Sequence, residues 1–509
     1  MKRLVILLLL AFTLALFTAC GTGGIGGGGG AAAAGDGAPV TLSVFINHSW
    51  YPTESFSGII PEEITRLTNV ILDPTVAIDG GQLGIMIASG DLPDIVYTSG
   101  SLSDMSDPLI SFSYEYLIDR YNVDWQPTAL QLGIARTFSA DGQAYTIINH
   151  FSAAEDWQGT NLVPMVGSLL YRRDIWESVG SPPMNSFDDL FHVFGLVRDQ
   201  YPQFSRILAL NPNWNILTLR KYWGMGGLEW MEQADGSFIH FTMDPRYRDL
   251  IQWLNRAYRE GFINPDEGFF VPGALFPADE HFMSAGCTQN HITAWLTDLG
   301  NINPNYVGAE LVPFAESSFT TSGIGWSGSF ITRSNRNPEA SINFIAWMFS
   351  EEAQRLTQMG RPGIDYTLDD QGFPTFSDEW NASLAAGTHN DVFNPWFYFG
   401  ACPVVESMSR IANTPPELVE AAYRIQRERF INKPWITAAL PLAQTSERIT
   451  LDRFIELQRS YEARLILSST PEEFDALWDE FMSSAAAINF NTVEAFMTQN
   501  IQNMLPLFQ

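Results

Sequence analysis

The residues of this chain that could do chemistry are aromatic and polar rather than catalytic. Its 509 residues include 15 tryptophans, 16 tyrosines and 35 phenylalanines. A binding site for a small polar ligand with apolar faces needs flat rings to stack on and a few directed hydrogen bonds. Most tryptophan is core or semi-buried, so position in the chain has to select among the fifteen. Trp50 and Tyr51 follow a first strand pattern, and Ser99-Gly100 follows the short apolar run Asp94 to Tyr97. Loops at the carboxyl ends of strands form the cleft of an open α/β sheet, which makes Trp50 and Ser99 candidates for ligand contact. Arg361 follows Gly360, and its guanidinium could fork to hydroxyls or a carboxylate, or form a surface salt bridge.

Catalytic patterns are missing. The chain has no Gly-x-Ser-x-Gly elbow, no His-Glu-x-x-His and no Walker loop, and its seven histidines are scattered. A glycoside hydrolase uses two carboxyls at a defined separation; Asp and Glu are plentiful, but none sits in a recognisable acid/base motif. The chain therefore reads as a binder and not an enzyme, with a secreted carbohydrate-active hydrolase as the alternative. Cys20, Cys287 and Cys402 show no metal-ligand spacing, so neither metal nor cofactor is expected. Cys287 and Cys402 either pair in an oxidising compartment or stay as two buried thiols.

Lys2 and Arg3 precede an uncharged, mostly apolar stretch from Leu4 to Phe17, shorter than the ~20 residues that span a bilayer. Residues 1–19 read as a signal peptide. Phe17-Thr18-Ala19-Cys20-Gly21 resembles the lipobox of bacterial lipoproteins, whose cysteine is lipidated, although Phe17 stands where an aliphatic residue is usual. The resemblance implies a mature chain tethered through Cys20 to the outer face of the cell membrane. Residues 20–39 are nearly all Gly and Ala, a flexible linker reaching about 24 Å. The roughly 470 residues beyond exceed one ordinary core, so two or more lobes are expected. A net charge of −29 excludes nucleic acid as a partner, because a phosphate backbone demands a basic surface.

The elements that would position these residues alternate. Val40 to Asn47 reads as a strand, Pro61 to Thr68 as a helix, Asn69 to Ile78 as a strand, Gly81 to Ser89 as a helix and Asp94 to Tyr97 as a strand. That order predicts a mostly parallel sheet covered by helices. Asp244-Pro245 opens a helix that ends at Gly261. One long helix is expected from Asn337-Pro338-Glu339 to Gly360, and Thr470-Pro471-Glu472-Glu473 predicts a capping box. Asp141-Gly142 and Asp235-Gly236 predict tight turns between β segments.

Several segments resemble the family 1 extracellular solute-binding proteins, the capture subunits of ABC sugar importers. They are Ala88-Ser89-Gly90-Asp91-Leu92-Pro93-Asp94-Ile95-Val96, Asp141-Gly142-Gln143-Ala144-Tyr145, and Leu169 through Trp176. Tyr258-Arg259-Glu260-Gly261-Phe262-Ile263-Asn264-Pro265, Asn337-Pro338-Glu339-Ala340 and Gly363-Ile364-Asp365-Tyr366 follow in order, the last resembling the long LplA-like lipoprotein branch. The resemblance implies a two-lobed periplasmic-binding-protein-like α/β fold (type II), with a hinge of crossing strands and a ligand cleft between the lobes. It implies a first lobe begun by 40–160, a second by 161–322, a return to the first over 323–395, and C-terminal helices over 396–509, mainly in the second. It also implies an oligosaccharide ligand, ABC permease subunits as partners and a monomer; a ligand-presenting sensory lipoprotein is the other role open to such a chain. By the same resemblance Trp214 lies on a loop that carries a stacking aromatic, and a short strand through His291-Ile292-Thr293-Ala294 delivers Trp295 to the cleft. Trp326, in Gly323-Ile324-Gly325-Trp326-Ser327-Gly328, would lie on a hinge strand. The calcium-loop-like segment common in that branch is lacking, since Arg198 to Leu208 carries Asp199 alone, so no ion site is expected there.

Overall fold

The alternation of Leu42, Val44 and Ile46 becomes the strand Val40–Ile46, with all three side chains buried. This computed structural model describes residues 37–157, 162, 167–210, 212–265, 277–286, 289–321, 324–370, 372–412 and 424–508. The leader, Cys20 and Cys287 lie outside the described residues. Val40–Ile46 pairs in parallel with Val70–Val76 on one side and Ile95–Thr98 on the other. The helices Ile59–Thr68 and Gln82–Ser89 make the crossovers that parallel pairing requires. Gly328–Ile331 then joins the edge, antiparallel to Ile95–Thr98, with Gly328 opposite Thr98. The residues just before it, Trp326-Ser327, are thereby brought to the end of the sheet where the parallel strands finish.

The second sheet runs Leu208–Ala209, Met283–Gly286, Ser168–Arg172, Gly308–Glu310. Its pairing is mostly antiparallel, unlike that of the first sheet. Ser168–Arg172 is antiparallel to both its neighbours, and Leu208–Ala209 with Met283–Gly286 is the parallel pair. Ser168–Arg172 carries the chain in from the first core and Gly308–Glu310 precedes its return, so these adjacent strands run opposite ways.

Two large apolar cores accompany the two sheets. One gathers Leu42, Ile46, Ile60, Tyr97, Ile342, Phe397 and Phe399. The other gathers Leu169, Phe194, Tyr222, Trp253 and Phe282 with Phe454, Phe481 and Ile501 from the C-terminal helices Ser446–Ile466, Pro471–Ala487 and Asn491–Met504, and with Phe490, which takes the N-cap position of the last of them. Among the described residues the chain passes between the cores three times, after Ile147, after Phe319 and after Phe399. Ile148 and Ile324, from two of these passages, pack with Ala438 in a small cluster of their own.

Local capping explains where the elements end. The Asp244 carboxylate accepts the Arg246 N–H and opens Pro245–Arg259. The single helix expected from Asn337 to Gly360 is two, Pro338–Met348 and Glu351–Met359. The Ser350 hydroxyl accepts the Ala353 N–H and starts a new N-terminus, with Glu351 and Glu352 favourably placed in its first turn. Thr470 caps Pro471–Ala487, but Glu473 takes the N–H of Ser469 rather than that of Thr470. Asp235-Gly236 does join paired strands, Trp230–Glu232 and Phe238–His240. Asp141-Gly142 instead follows the helix Ala129–Arg136 and precedes an extended segment whose Ile148 bridges Gly328.

Candidate functional site

The loop after Val40–Ile46 doubles back at once. The His48 N–H donates to Ile46 O (2.8 Å) and the Tyr51 N–H to His48 O (2.9 Å), which lifts Trp50 out between them. Trp50 is 40% exposed. Its ring centroid lies 5.9 Å from Trp326, 6.3 Å from Trp396 and 5.2 Å from His48. Tyr398, 5.9 Å from Trp396, extends the group, and Trp326, Trp396 and Tyr398 are all half-buried. Beneath them His48, Tyr51 and Tyr97 are buried.

Hydrogen bonds fix this floor. Asn149 donates its N–H to Ser327 O (2.8 Å) and accepts the Ser327 N–H on Oδ1 (3.0 Å). Its amide also donates to the Tyr97 hydroxyl at 2.6 Å. His48 Nε2 pairs with Ser327 Oγ at 3.0 Å, and Tyr51 donates its hydroxyl to Trp396 O. Glycine is required where these two segments meet. Gly325 has φ +85°, and a Cβ there would fall 1.7 Å from Asn149 O. Burial holds the His48 imidazole down to about 4 and pushes the Tyr51 and Tyr97 phenols up. These three side chains are therefore neutral near pH 7, a surface suited to an uncharged polar ligand with apolar faces.

The six candidate ligand contacts divide. Trp50 and Trp326 come together. Ser99 is exposed at the same end of the sheet, next to Thr98, whose hydroxyl takes the Asn47 amide (3.0 Å) and donates to Gly100 O (2.8 Å). Arg361 is spent elsewhere: its Nε and Nη2 bind both oxygens of the buried Asp365, at 2.8 and 3.0 Å. Trp214 falls in the first turn of the helix Pro212–Tyr222, and its side chain lies outside the described residues.

Trp295 corrects the expectation of a short strand. It belongs to the helix Gln289–Ile302 and is 8% exposed, packed with Leu170, Leu299 and Tyr306. Its indole N–H donates to His281 Nε2 at 3.1 Å.

Sequence reasoning passed over Trp396 and Tyr398. Their signal is an alternation, with half-buried Trp396 and Tyr398 interleaved with buried Phe397 and Phe399. A separate open groove of about 730 Å³ on the second lobe, beside Trp223 and Trp253, contains none of the candidates.

No protein-family model and no curated protein matches the chain. Solved structures do. The alginate-binding protein AlgQ2 without calcium ion superposes with a TM-score of 0.68 at 19% identity, over 91% of this chain and 98% of its own. This chain has the fold of a solute-binding protein. An extracellular solute-binding protein from Bifidobacterium longum subsp. infantis gives 0.62 at 12% identity, over 92% of this chain and 99% of its own. The S. pneumoniae ABC-transporter substrate binding protein FusA, in complex with kestose, gives 0.59 at 16%, over 91% and 99%. At such identities the likeness establishes the two-lobed α/β architecture, and the site has to be argued from its own residues.

Proposed function

We propose that this protein is a lipid-anchored extracellular solute-binding protein that captures an oligosaccharide and hands it to the permease of an ABC transporter. The observation that carries the reading is the gathering of Trp50, Trp326 and Trp396 at the finishing end of the first sheet. Indole faces remain partly open there above a neutral, hydrogen-bonded floor, and sugar C–H faces stack on such surfaces. Solved structures of the same fold include proteins described as binding alginate and kestose, which supports the choice of ligand class. Ser99 would supply a hydroxyl at the rim. Closure of the two lobes over the sugar would be hinge bending at the three chain passages.

Binding is favoured over hydrolysis by the state of Glu406, a carboxylate near the platform. It is 7% exposed and engaged with His150 rather than open to a glycosidic bond. A thermal-shift screen of the mature protein against neutral and acidic oligosaccharides tests the reading. A sugar at 100 times its Kd should add about 2.7 kcal/mol of stability, and chromatography should recover it intact. No stabilisation by any saccharide, or cleavage of one, rejects the proposal. The anchor has its own test. Cys20→Ser should move the protein from the membrane fraction to the soluble one, because two acyl chains are what hold such a chain. Unchanged partition would remove the lipid from the account.

A further inference from the structure

Behind the platform lies a line of three side chains from three separate segments. The Trp326 indole N–H donates to His150 Nδ1 at 2.9 Å. His150 Nε2 in turn faces Glu406 Oε2 at 3.1 Å. Trp326 comes from the returning segment, His150 from the first chain passage, and Glu406 from the helix Pro403–Ala412. His150 and Glu406 are nearly buried, with 11% and 7% of their side-chain surfaces exposed. His150 is held in a left-handed conformation, φ +52°, and its N–H donates to Ala401 O at 2.7 Å.

The donor inventory fixes the proton. An indole nitrogen can only donate, so His150 Nδ1 must accept and carry no hydrogen. The ring proton then sits on Nε2 and points at the Glu406 carboxylate. An imidazolium has hydrogens on both nitrogens, so a protonated His150 cannot accept from Trp326 while it can still donate to Glu406. The line thus has two incompatible states. In one, a neutral His150 holds the indole in place. In the other, a charged His150 pairs with Glu406 and presents an N–H to the Trp326 N–H.

We infer that His150 and Glu406 are positioning residues that lock the Trp326 indole into the platform, and that protonation of His150 releases it. The platform's grip on a sugar would then loosen on acidification. That consequence rests on the function proposed above; the lock itself does not. Other titratable groups around the line are His48 against Trp326 (5.2 Å), Tyr398 against His150 (5.6 Å), Tyr97, Cys402 and Asp156. Burial keeps His48 neutral down to about pH 4, and it pushes the Tyr97 phenol and the Cys402 thiol up. None of these three changes charge between pH 5 and pH 8.

The test needs no sugar. Indole 15N–1H resonances of the full mature protein are followed from pH 8 to pH 5, with that of Trp326 assigned by its loss in Trp326→Phe. The parent should show the Trp326 resonance moving through one inflection. His150→Asn tolerates the left-handed backbone and places Oδ1 where Nδ1 was, so it should keep the bonded resonance position at every pH. His150→Phe should hold the resonance at an unbonded position throughout. Glu406→Gln retains an acceptor but removes the charge that favours imidazolium, so the inflection should move to lower pH. A pH-independent resonance in the parent, or an inflection that survives His150→Asn, overturns the lock. A failed sugar screen beside a successful titration would reject the proposed function and leave the lock standing.

Discussion

Replacing both Trp50 and Trp326 by alanine should weaken oligosaccharide binding by between thirtyfold and a thousandfold. A buried aromatic anchor commonly costs about 2 kcal/mol when truncated, or roughly thirtyfold in affinity. Two independent anchors would multiply to about a thousandfold, but these rings lie 5.9 Å apart, and neighbours that share a partner do not add. The single variants carry different information. Trp50 is 40% exposed, so Trp50→Ala should cut affinity with little change in melting temperature. Trp326 also holds His150 and packs on His48, so its truncation should lower both. Calorimetric titration and thermal melting of each variant separate the two effects. If Trp50→Ala binds as the parent does to the saccharide that the parent prefers, the platform is not the site.

How much of this was legible depends on the range of the signal. The strand–helix alternation from Val40 to Thr98 was readable because periodicity and caps act within a few residues. Trp50 was readable for the same reason, since a residue just past a strand must emerge at its carboxyl end. The glycines around Trp326 announced a close approach, and Gly325 against Asn149 O is that approach. The sequence could not say which distant segments would meet. Tyr51 and Trp396 are 345 residues apart in the chain. A histidine such as His48 or His150 is ambiguous until its neighbours are known, because the same side chain can be core filler, donor or acceptor. The break at Ser350 was also available locally, but a continuous apolar periodicity across Phe349 masked it.

Trp295 shows how a resemblance can outweigh a better local signal. Ile292, Trp295, Leu296 and Leu299 recur at three- and four-residue steps, the spacing of a helix face rather than a strand. The structure follows that spacing and turns the indole inward. Trp295→Ala should therefore cost about 3–5 kcal/mol of stability, the range for removing a large aromatic from a core. Two features place it toward the upper end. Gly308 is packed so closely that a Cβ there would lie 2.3 Å from Trp295 Cζ3, so the indole fills the space against that strand and its removal opens a void there. The indole also donates to His281 Nε2, a buried imidazole whose pKa burial lowers to about 3, so it stays neutral. Losing that donor leaves an acceptor buried without it. Trp295→Phe keeps most of the volume but loses the donor and part of the ring, so it should fall between parent and alanine variant. Sugar affinity, measured where the variant is still folded, should stay within about twofold of the parent, because core substitutions away from a site act mainly on stability. Denaturant unfolding and calorimetric titration of the same samples decide the matter. A stable Trp295→Ala protein that has lost its sugar would return the residue to the cleft.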